Sequence, residues 1–349
     1  MLDKGCVNMR YIDTINKDIK AYYEILSKDY PNWLDDYINT KEIQKLKSIS
    51  VTCGTIYTNL FDINYFYSTL DHSVAVALII WNFTHDKKQT LSGLFHDIAT
   101  PVFKHSIDFL NGDYMTQEST EEKTTEIIRN SKEIMRLLKR DNIKVEEIND
   151  YHIYPIADND TPKLSSDRLE YSLSNALFVY NIRDKEQIKE MYNDIEIQTN
   201  EEGEIELGFQ TKKYARDFVR ITSKLSKIYR EEKTVYSMQF IADILKKLKE
   251  ENLLTIDDLY NLEEQEIIKL IESSKYNKIF KIWRNAKRIK ISKEKPDNVY
   301  SVKIISKIRY VDPLLNGKRI SKECKLSKKM IDNNLAYKAD NYVYLKLNM

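Results

Sequence analysis

The stretch Gly93-Leu94-Phe95-His96-Asp97-Ile98 sets two polar side chains next to each other in an otherwise apolar turn. Apolar residues recur around them at helical spacing, which predicts a helix with one buried face. A carboxylate on a buried face is unfavourable unless a cation pairs with it. His96 and Asp97 are therefore the first candidates for a cation site inside a helical core.

Two further helix starts carry donors of the same kind. His72 precedes residues 74–81, a helical run that is apolar on nearly all sides, as expected at the centre of a core. Asp167 lies at the predicted start of a third helix. Imidazole nitrogen and carboxylate oxygen together suit Mn, Fe, Ni, Zn or Mg without choosing among them. We therefore predict a divalent-metal site; the alternative is a coincidental set of core histidines, each with its own hydrogen-bond partner. The predicted ligands are His72, His96, Asp97 and Asp167.

The order of these four residues resembles the H…HD…D pattern of the HD superfamily. Residues 94–105 are similar to the LxHDxGHxPFSH stretch of its deoxynucleoside triphosphate triphosphohydrolases, and residues 167–171 to their D(R/K)xDY segment. Residues 309–314 resemble a (R/F)xxDPL segment near the C-terminal end of such proteins. The resemblance implies an all-α HD-domain bundle in which a metal-activated water attacks a nucleotide-type phosphate ester, releasing nucleoside and triphosphate in that branch.

The resemblance also implies roles on the substrate side of the site. His105 and Asp108 match an HxxD pair, and Tyr171 matches a tyrosine that packs near the sugar. The catalytic histidine of the branch lies in a THE motif, where this chain has Thr120-Glu121-Glu122. Glu121 could donate a proton if its surroundings raised its pKa, or it could simply complement the dipole of a helix start.

Several positions depart from the family pattern. Ala99 and Thr100 replace a glycine and a histidine, and Thr69 replaces an arginine. These changes leave open a sibling branch with another phosphate ester as substrate, and also a nucleotide-binding regulator that has lost turnover. Lys212, Lys213 and Arg216 form a basic cluster that could hold phosphates or could be a solvated helix face.

Composition agrees with a helical protein of 349 residues, because only 7 glycines and 6 prolines are present. We expect a helical lead-in at 1–49, an HD phosphohydrolase domain at 50–250, and a C-terminal helical region with a small β element at 251–349. His85 is expected to be exposed, and His152 to be structural or to border the site.

The net charge of +1 gives no global attraction for nucleic acid. The basic stretch 275–293 could still bind it, with Tyr276, Phe280 and Trp283 stacking on bases. The 3 scattered cysteines fit a reducing compartment. The longest apolar run, at 74–81, is too short to cross a bilayer. We expect a soluble, cytoplasmic protein, and a homo-oligomer because the relatives assemble.

Overall fold

The fold comes from a computed structural model, which describes residues 10–113, 115 and 123–346. Most of these residues are helical. The helices are α1 (Lys17–Leu26), α2 (Leu34–Ile38), α3 (Lys41–Gln44), α4 (Thr69–Thr84), α5 (Lys87–Phe95), α6 (Ser106–Asn111), α7 (Thr124–Asn130), α8 (Lys132–Asp141), α9 (Ser166–Ser174), α10 (Lys185–Asn193), α11 (Lys212–Arg230), α12 (Glu232–Glu250), α13 (Ile256–Asn261), α14 (Glu264–Ser273), α15 (Asn277–Asn285), α16 (Ile320–Glu323) and α17 (Lys325–Leu335).

In the described part of the chain, seven short strands form two small sheets. The strands are β1 (Ile195–Thr199), β2 (Ile205–Phe209), β3 (Lys290–Ser292), β4 (Ser301–Val302), β5 (Leu314–Leu315), β6 (Lys318–Arg319) and β7 (Tyr342–Tyr344). One sheet has the order β1-β2-β5-β6 and the other the order β3-β7-β4. The pair β2 and β5 is parallel, and the remaining pairs are antiparallel.

Helix α4 lies at the centre of the fold. Ser68 and Asp71 form a capping box that satisfies backbone N–H groups at its start. Residues 72–80 are all buried, and α5 and α9 pack against the helix. His72 thus occupies the first turn of a helix whose position is set by burial on every side.

The loop after α5 has an unusual backbone. Phe103 and Lys104 both have positive φ values, 63° and 43°, in the left-handed region that non-glycine residues rarely adopt. The Phe103 N–H donates to the carboxylate of Glu264, at 3.0 Å, and the Val102 N–H donates to the Leu259 carbonyl, at 2.9 Å. Elements of the 251–349 segment therefore hold this loop in place.

The expectation of an all-α protein is confirmed for most of the chain, and the small C-terminal β element is present as β3, β4 and β7. The sheet that contains β1 and β2 was not predicted. Its strands flank the polar segment 201–204, and β1 buries only two of its five residues, so it lacks the strict alternation that marks a strand in sequence.

One cluster of buried hydrophobic residues runs from Tyr11 to Leu345 and includes side chains of all three predicted segments. The boundaries at 49/50 and 250/251 therefore stay predictions. Within the described part of the chain, no helix combines the length and the apolar character that crossing a bilayer requires.

Candidate metal centre

Two histidines from different helices meet ring to ring. His72, in the first turn of α4, and His96, at the C-terminal end of α5, place their Nε2 atoms 3.2 Å apart. The Oδ2 atom of Asp97 lies 3.7 Å from His72 Nε2 and 3.6 Å from His96 Nε2. Among the described residues, these three are the group whose donor atoms converge as metal ligands do, all within 4.8 Å of one another.

Asp167 completes the group from the first turn of α9. Its Oδ1 atom lies 3.2 Å from His72 Nε2 and 3.8 Å from His96 Nε2. Metal–ligand bonds of about 2.0–2.2 Å place neighbouring ligand atoms roughly 2.8–3.6 Å apart in octahedral or tetrahedral geometry. The structure thus brings His72, His96 and Asp97 together as a candidate ligand group, and Asp167 lies beside them within 3.8 Å of both imidazole Nε2 atoms.

Both histidines carry the proton of the neutral ring on Nδ1. His96 Nδ1 lies 2.6 Å from the Gly93 carbonyl, which accepts only, so this nitrogen carries the proton. His72 Nδ1 likewise faces the carboxylate of Glu170 and donates to it. In the neutral rings, both Nε2 atoms then direct lone pairs into one space that also holds two carboxylate oxygens. The chemistry of this donor set fits a divalent metal ion.

Glu170 is a buried residue of the candidate site that the sequence analysis did not name. Its side chain is fully buried and accepts hydrogen bonds from Tyr67 Oη at 2.7 Å, Tyr22 Oη at 3.3 Å and Ser174 Oγ at 3.2 Å. A carboxylate that holds the far nitrogen of a ligand histidine fixes the ring and raises its basicity. The available signal was its place one helical turn after Asp167, on the same face of α9.

Electrostatics keep the acidic ligands ionised. Burial alone would raise the pKa of Asp97, but Lys104, His96 and His72 hold it far below its ordinary value. For Asp167, the two histidines outweigh burial and lower the pKa to about 2. Burial would lower the pKa of His72, yet Glu170 and Asp167 raise it to about 10. A divalent ion bound here would take the place of a proton on that ring.

Lys104 also contacts the group directly. Its Nζ atom lies 2.6 Å from Asp97 Oδ2, and Thr100 Oγ1 donates to Asp97 Oδ1 at 2.9 Å. Burial opposes the charge on Lys104, but Asp97 outweighs it and the pKa of the ammonium is raised. Sequence comparison alone did not single out Lys104, which stands where the related PFSH stretch has serine.

The four donors lie in the wall of a cavity of about 720 Å³. This size is ordinary for a small-molecule site. Besides the donors, the wall carries cationic and aromatic side chains from distant segments, chiefly Lys104, Arg168, Lys307, Arg309, Tyr151, Tyr171, Tyr180, Tyr229 and Tyr310. Tyr151 packs against the His96 ring with centroids 5.0 Å apart.

The residues expected on the substrate side are placed unequally. His105 lines the cavity, and its Nδ1 atom lies 2.9 Å from Oδ2 of the fully buried Asp108. Burial lowers the pKa of His105 despite this partner. Tyr171 also lines the cavity. Glu121 lies outside the described residues.

The basic cluster on α11 is not brought to this site. Lys212, Lys213 and Arg216 are absent from the residues that line the cavity. Lys213 is exposed and lies 3.1 Å from Tyr214 Oη and 3.8 Å from Glu190. The geometry therefore gives this cluster no contact with the metal group, and phosphate binding by it stays a prediction.

Other predicted features also have defined places. His85 ends α4 in a left-handed conformation and is exposed. His152 lines the cavity, with Nε2 3.3 Å from Asp158 Oδ2. In the basic stretch, Phe280 and Trp283 are buried in the core, so neither ring presents a face on which a base could stack.

Comparisons with known sequences leave the activity open. The chain matches no protein-family model. It is 21% identical to the uncharacterized protein YdhJ of Bacillus subtilis over 319 residues, which are 90% of this chain and 94% of that protein. It is 24% identical to the uncharacterized protein MG461 of Mycoplasma genitalium over 269 residues, 69% of this chain and 62% of that protein.

Two crystal structures resemble it over nearly their whole length. A hypothetical protein from Aquifex aeolicus has a TM-score of 0.56 at 16% identity, covering 91% of this chain and 93% of its own. A protein named phosphohydrolase from Bacteroides thetaiotaomicron has a TM-score of 0.56 at 12% identity, covering 89% of this chain and 95% of its own. The chain therefore shares the fold of these two proteins.

Proposed function

We propose that this protein is an HD-type, metal-dependent phosphohydrolase that acts on a nucleotide-type phosphate ester. The observation that carries the proposal is the convergence of two imidazole Nε2 atoms and two carboxylate oxygens in the wall of a cavity of about 720 Å³. The fold shared with a Bacteroides protein named phosphohydrolase supports it. His72, His96, Asp97 and Asp167 would hold the ion.

A divalent ion, when bound, supplies positive charge that polarises a phosphoryl oxygen and makes water a better nucleophile. The surrounding residues supply the rest. Glu170 orients His72, and the Gly93 carbonyl orients His96. His105, held by Asp108 and kept largely neutral by burial, is the cavity-lining group suited to accept or donate a proton at the substrate. Glu121 remains a second candidate for that role.

The cavity wall supports a nucleotide as the substrate. Tyrosine side chains line the cavity, and the rings of Tyr180 and Tyr229 lie with centroids 6.5 Å apart. Aromatic side chains are suited to stacking on a base. Lys307 and Arg309 line the same cavity and are suited to phosphate oxygens. A substrate that combines an aromatic base with several phosphates matches both the tyrosines and the basic side chains of this wall. We expect deoxynucleoside triphosphates to be turned over first.

The test combines metal analysis with a substrate screen. Purified protein is loaded with Mn, Mg, Fe or Ni, its metal content is measured, and release of phosphate or triphosphate is followed over a panel of nucleotides. We expect His72→Asn to lose both the ion and turnover. The same change at the exposed His85, which is outside the metal group, should preserve both.

The outcomes separate the two leading interpretations. Absence of a bound ion under every loading condition would overturn the proposal. Nucleotide binding without hydrolysis under all four metals would instead support a regulatory HD protein, the alternative suggested by Ala99, Thr100 and Thr69. Triphosphate and orthophosphate as products distinguish the triphosphohydrolase branch from a sibling branch.

A further inference from the structure

Lys104 is a buried cation at the centre of the candidate site. Its side chain is 11% exposed, and its Nζ atom lies 2.6 Å from Asp97 Oδ2. That oxygen is the same one that faces both ligand histidines, at 3.7 and 3.6 Å. The ammonium and a metal ion held by the histidines would therefore share one carboxylate oxygen of Asp97.

In this arrangement, the Lys104 ammonium lies where a two-metal site would place its second ion. In two-metal hydrolases, the ions lie about 3.5–4 Å apart and together stabilise the attacking and leaving oxygens. A carboxylate that contacts both cations is a natural bridge in such a site. Here the second position on Asp97 Oδ2 is taken by an ammonium, and Asp97 Oδ1 accepts from Thr100 Oγ1 at 2.9 Å.

The described residues also lack a second set of ligands. The group that could hold an ion consists of His72, His96 and Asp97, with Asp167 beside it. His105 is the next imidazole along the chain, but its Nδ1 atom faces Asp108, which is fully buried. A second ion near Lys104 would face an ammonium at close range without a carboxylate of its own.

The backbone points to a specific placement of Lys104. Phe103 and Lys104 are consecutive non-glycine residues with φ values of 63° and 43°. Such a conformation is unfavourable for a non-glycine residue and persists only when its surroundings fix it. Glu264 fixes this turn by accepting from the Phe103 N–H at 3.0 Å. The turn aims the Lys104 side chain at Asp97 and leaves His105 in the cavity wall.

We propose that Lys104 occupies the place of a second metal ion, so that the centre binds one divalent ion, and that its ammonium contacts a phosphoryl oxygen of the substrate. This inference rests on the proposed function and deepens it. Lys104 would supply a fixed positive charge to the phosphoryl group from its place on Asp97 Oδ2. One metal ion and the Lys104 ammonium would then together supply the positive charge that two ions supply in two-metal hydrolases.

The first experiment counts ions. The full chain is saturated with Mn²⁺, freed of unbound metal by gel filtration, and its manganese is measured per chain by mass spectrometry. We expect one ion for the wild type, one for Lys104→Met and two for Lys104→Glu, in which a carboxylate replaces the ammonium. Electron paramagnetic resonance of Lys104→Glu should then show two coupled Mn²⁺ ions.

The second experiment measures the phosphate contact without turnover. Orthophosphate is titrated calorimetrically into the Mn²⁺-loaded protein. We expect Lys104→Met to bind orthophosphate at least tenfold more weakly than the wild type. Lys246→Met, which removes an exposed lysine of α12 outside the cavity, should bind it as the wild type does.

The results distinguish this inference from the function on which it rests. Two ions in the wild type, or one in Lys104→Glu, would overturn the role of Lys104 and leave a metal-dependent hydrolase standing. Unchanged orthophosphate affinity in Lys104→Met would overturn the phosphoryl contact. A wild type that binds none of Mn, Mg, Fe and Ni would overturn both proposals together.

Discussion

Replacing Glu264 by glutamine should change how the stability of the protein depends on pH. Glu264 lies at the start of α14 and is fully buried. Its Oε1 atom accepts from the N–H groups of Ser50 and Phe103, at 3.2 and 3.0 Å, and Oε2 accepts from Tyr57 Oη at 2.7 Å. A glutamine can keep these contacts, because its carbonyl accepts both N–H groups and its amide donates to the tyrosine oxygen.

The size of the effect follows from the pKa of the carboxyl. Burial raises the pKa of Glu264 from 4.5 to about 7, although Tyr57 and the two N–H groups oppose the shift. The folded state therefore binds a proton more tightly than the unfolded state, and stability from this group is full below pH 4.5. That stability is lost as the pH rises to about 7. A shift of this size corresponds to roughly 3 kcal/mol of unfolding free energy.

Urea unfolding of the full chain at pH 4.5 and pH 8 measures this prediction, with fluorescence of the buried Trp283 among the probes. The quantity compared is the difference in unfolding free energy between Glu264→Gln and the wild type. Because glutamine does not titrate, this difference should move in favour of the variant by roughly 3 kcal/mol between the two pH values. Glu250→Gln, at an exposed position of α12, serves as the control.

The reasoning fails if the variant and the wild type lose stability in parallel over this pH range. A shift of the opposite sign would mean that Glu264 is held as a carboxylate in the folded protein. The two N–H donors and Tyr57 would then outweigh its burial. Either result would also count against a protonated Glu264 as the residue that fixes the loop carrying Lys104.

Three further predictions concern the site and its support. Glu170→Gln should lower metal affinity by roughly 10–100-fold, since it weakens the group that orients His72, and chelator competition measures this; unchanged affinity would contradict that role. Asp167→Asn should reduce both metal content and hydrolysis, and equal metal content in variant and wild type would exclude Asp167 as a ligand. Arg319 and Glu206 form a bidentate pair at 2.7 and 2.8 Å, with side chains 5% and 0% exposed. Arg319→Met should therefore destabilise the protein by roughly 3–5 kcal/mol in urea unfolding, and a loss below about 1 kcal/mol would contradict it.

The candidate ligands could be predicted from the sequence because they are polar side chains in or beside apolar stretches. His72 precedes a wholly apolar run, and His96 and Asp97 interrupt a buried helical face, so their chemistry shows in a short window of sequence. The two histidines belong to separate helices and lie 24 residues apart in the chain. Asp167 was expected to join them as a carboxylate at the predicted start of a third helix, and the family resemblance implied the same position.

The orienting residues could not be found in the same way. Glu170 looks like an ordinary polar residue of an amphipathic helix, and only the approach of Tyr67, 103 residues earlier, reveals a buried hydrogen-bonded acid. Glu264 contacts Phe103 across 161 residues. Such pairs depend on the packing of distant segments, and neither partner is unusual in its own window. The β1–β2 hairpin was not predicted because β1 has few buried positions and therefore no clear alternation in sequence.

These long-range contacts make the candidate site depend on segments outside its own stretch of chain. Tyr22, from the predicted lead-in, donates to Glu170, and Glu264, from the C-terminal region, holds the loop before Lys104. A fragment limited to residues 50–250 would keep the four ligands but lose Glu264, the acceptor for the N–H groups of Ser50 and Phe103. Left-handed conformations at Phe103 and Lys104 would then have no fixed partner to maintain them. The candidate ligands can be predicted from short windows of sequence, but the position of Lys104 beside them depends on a contact with the C-terminal region.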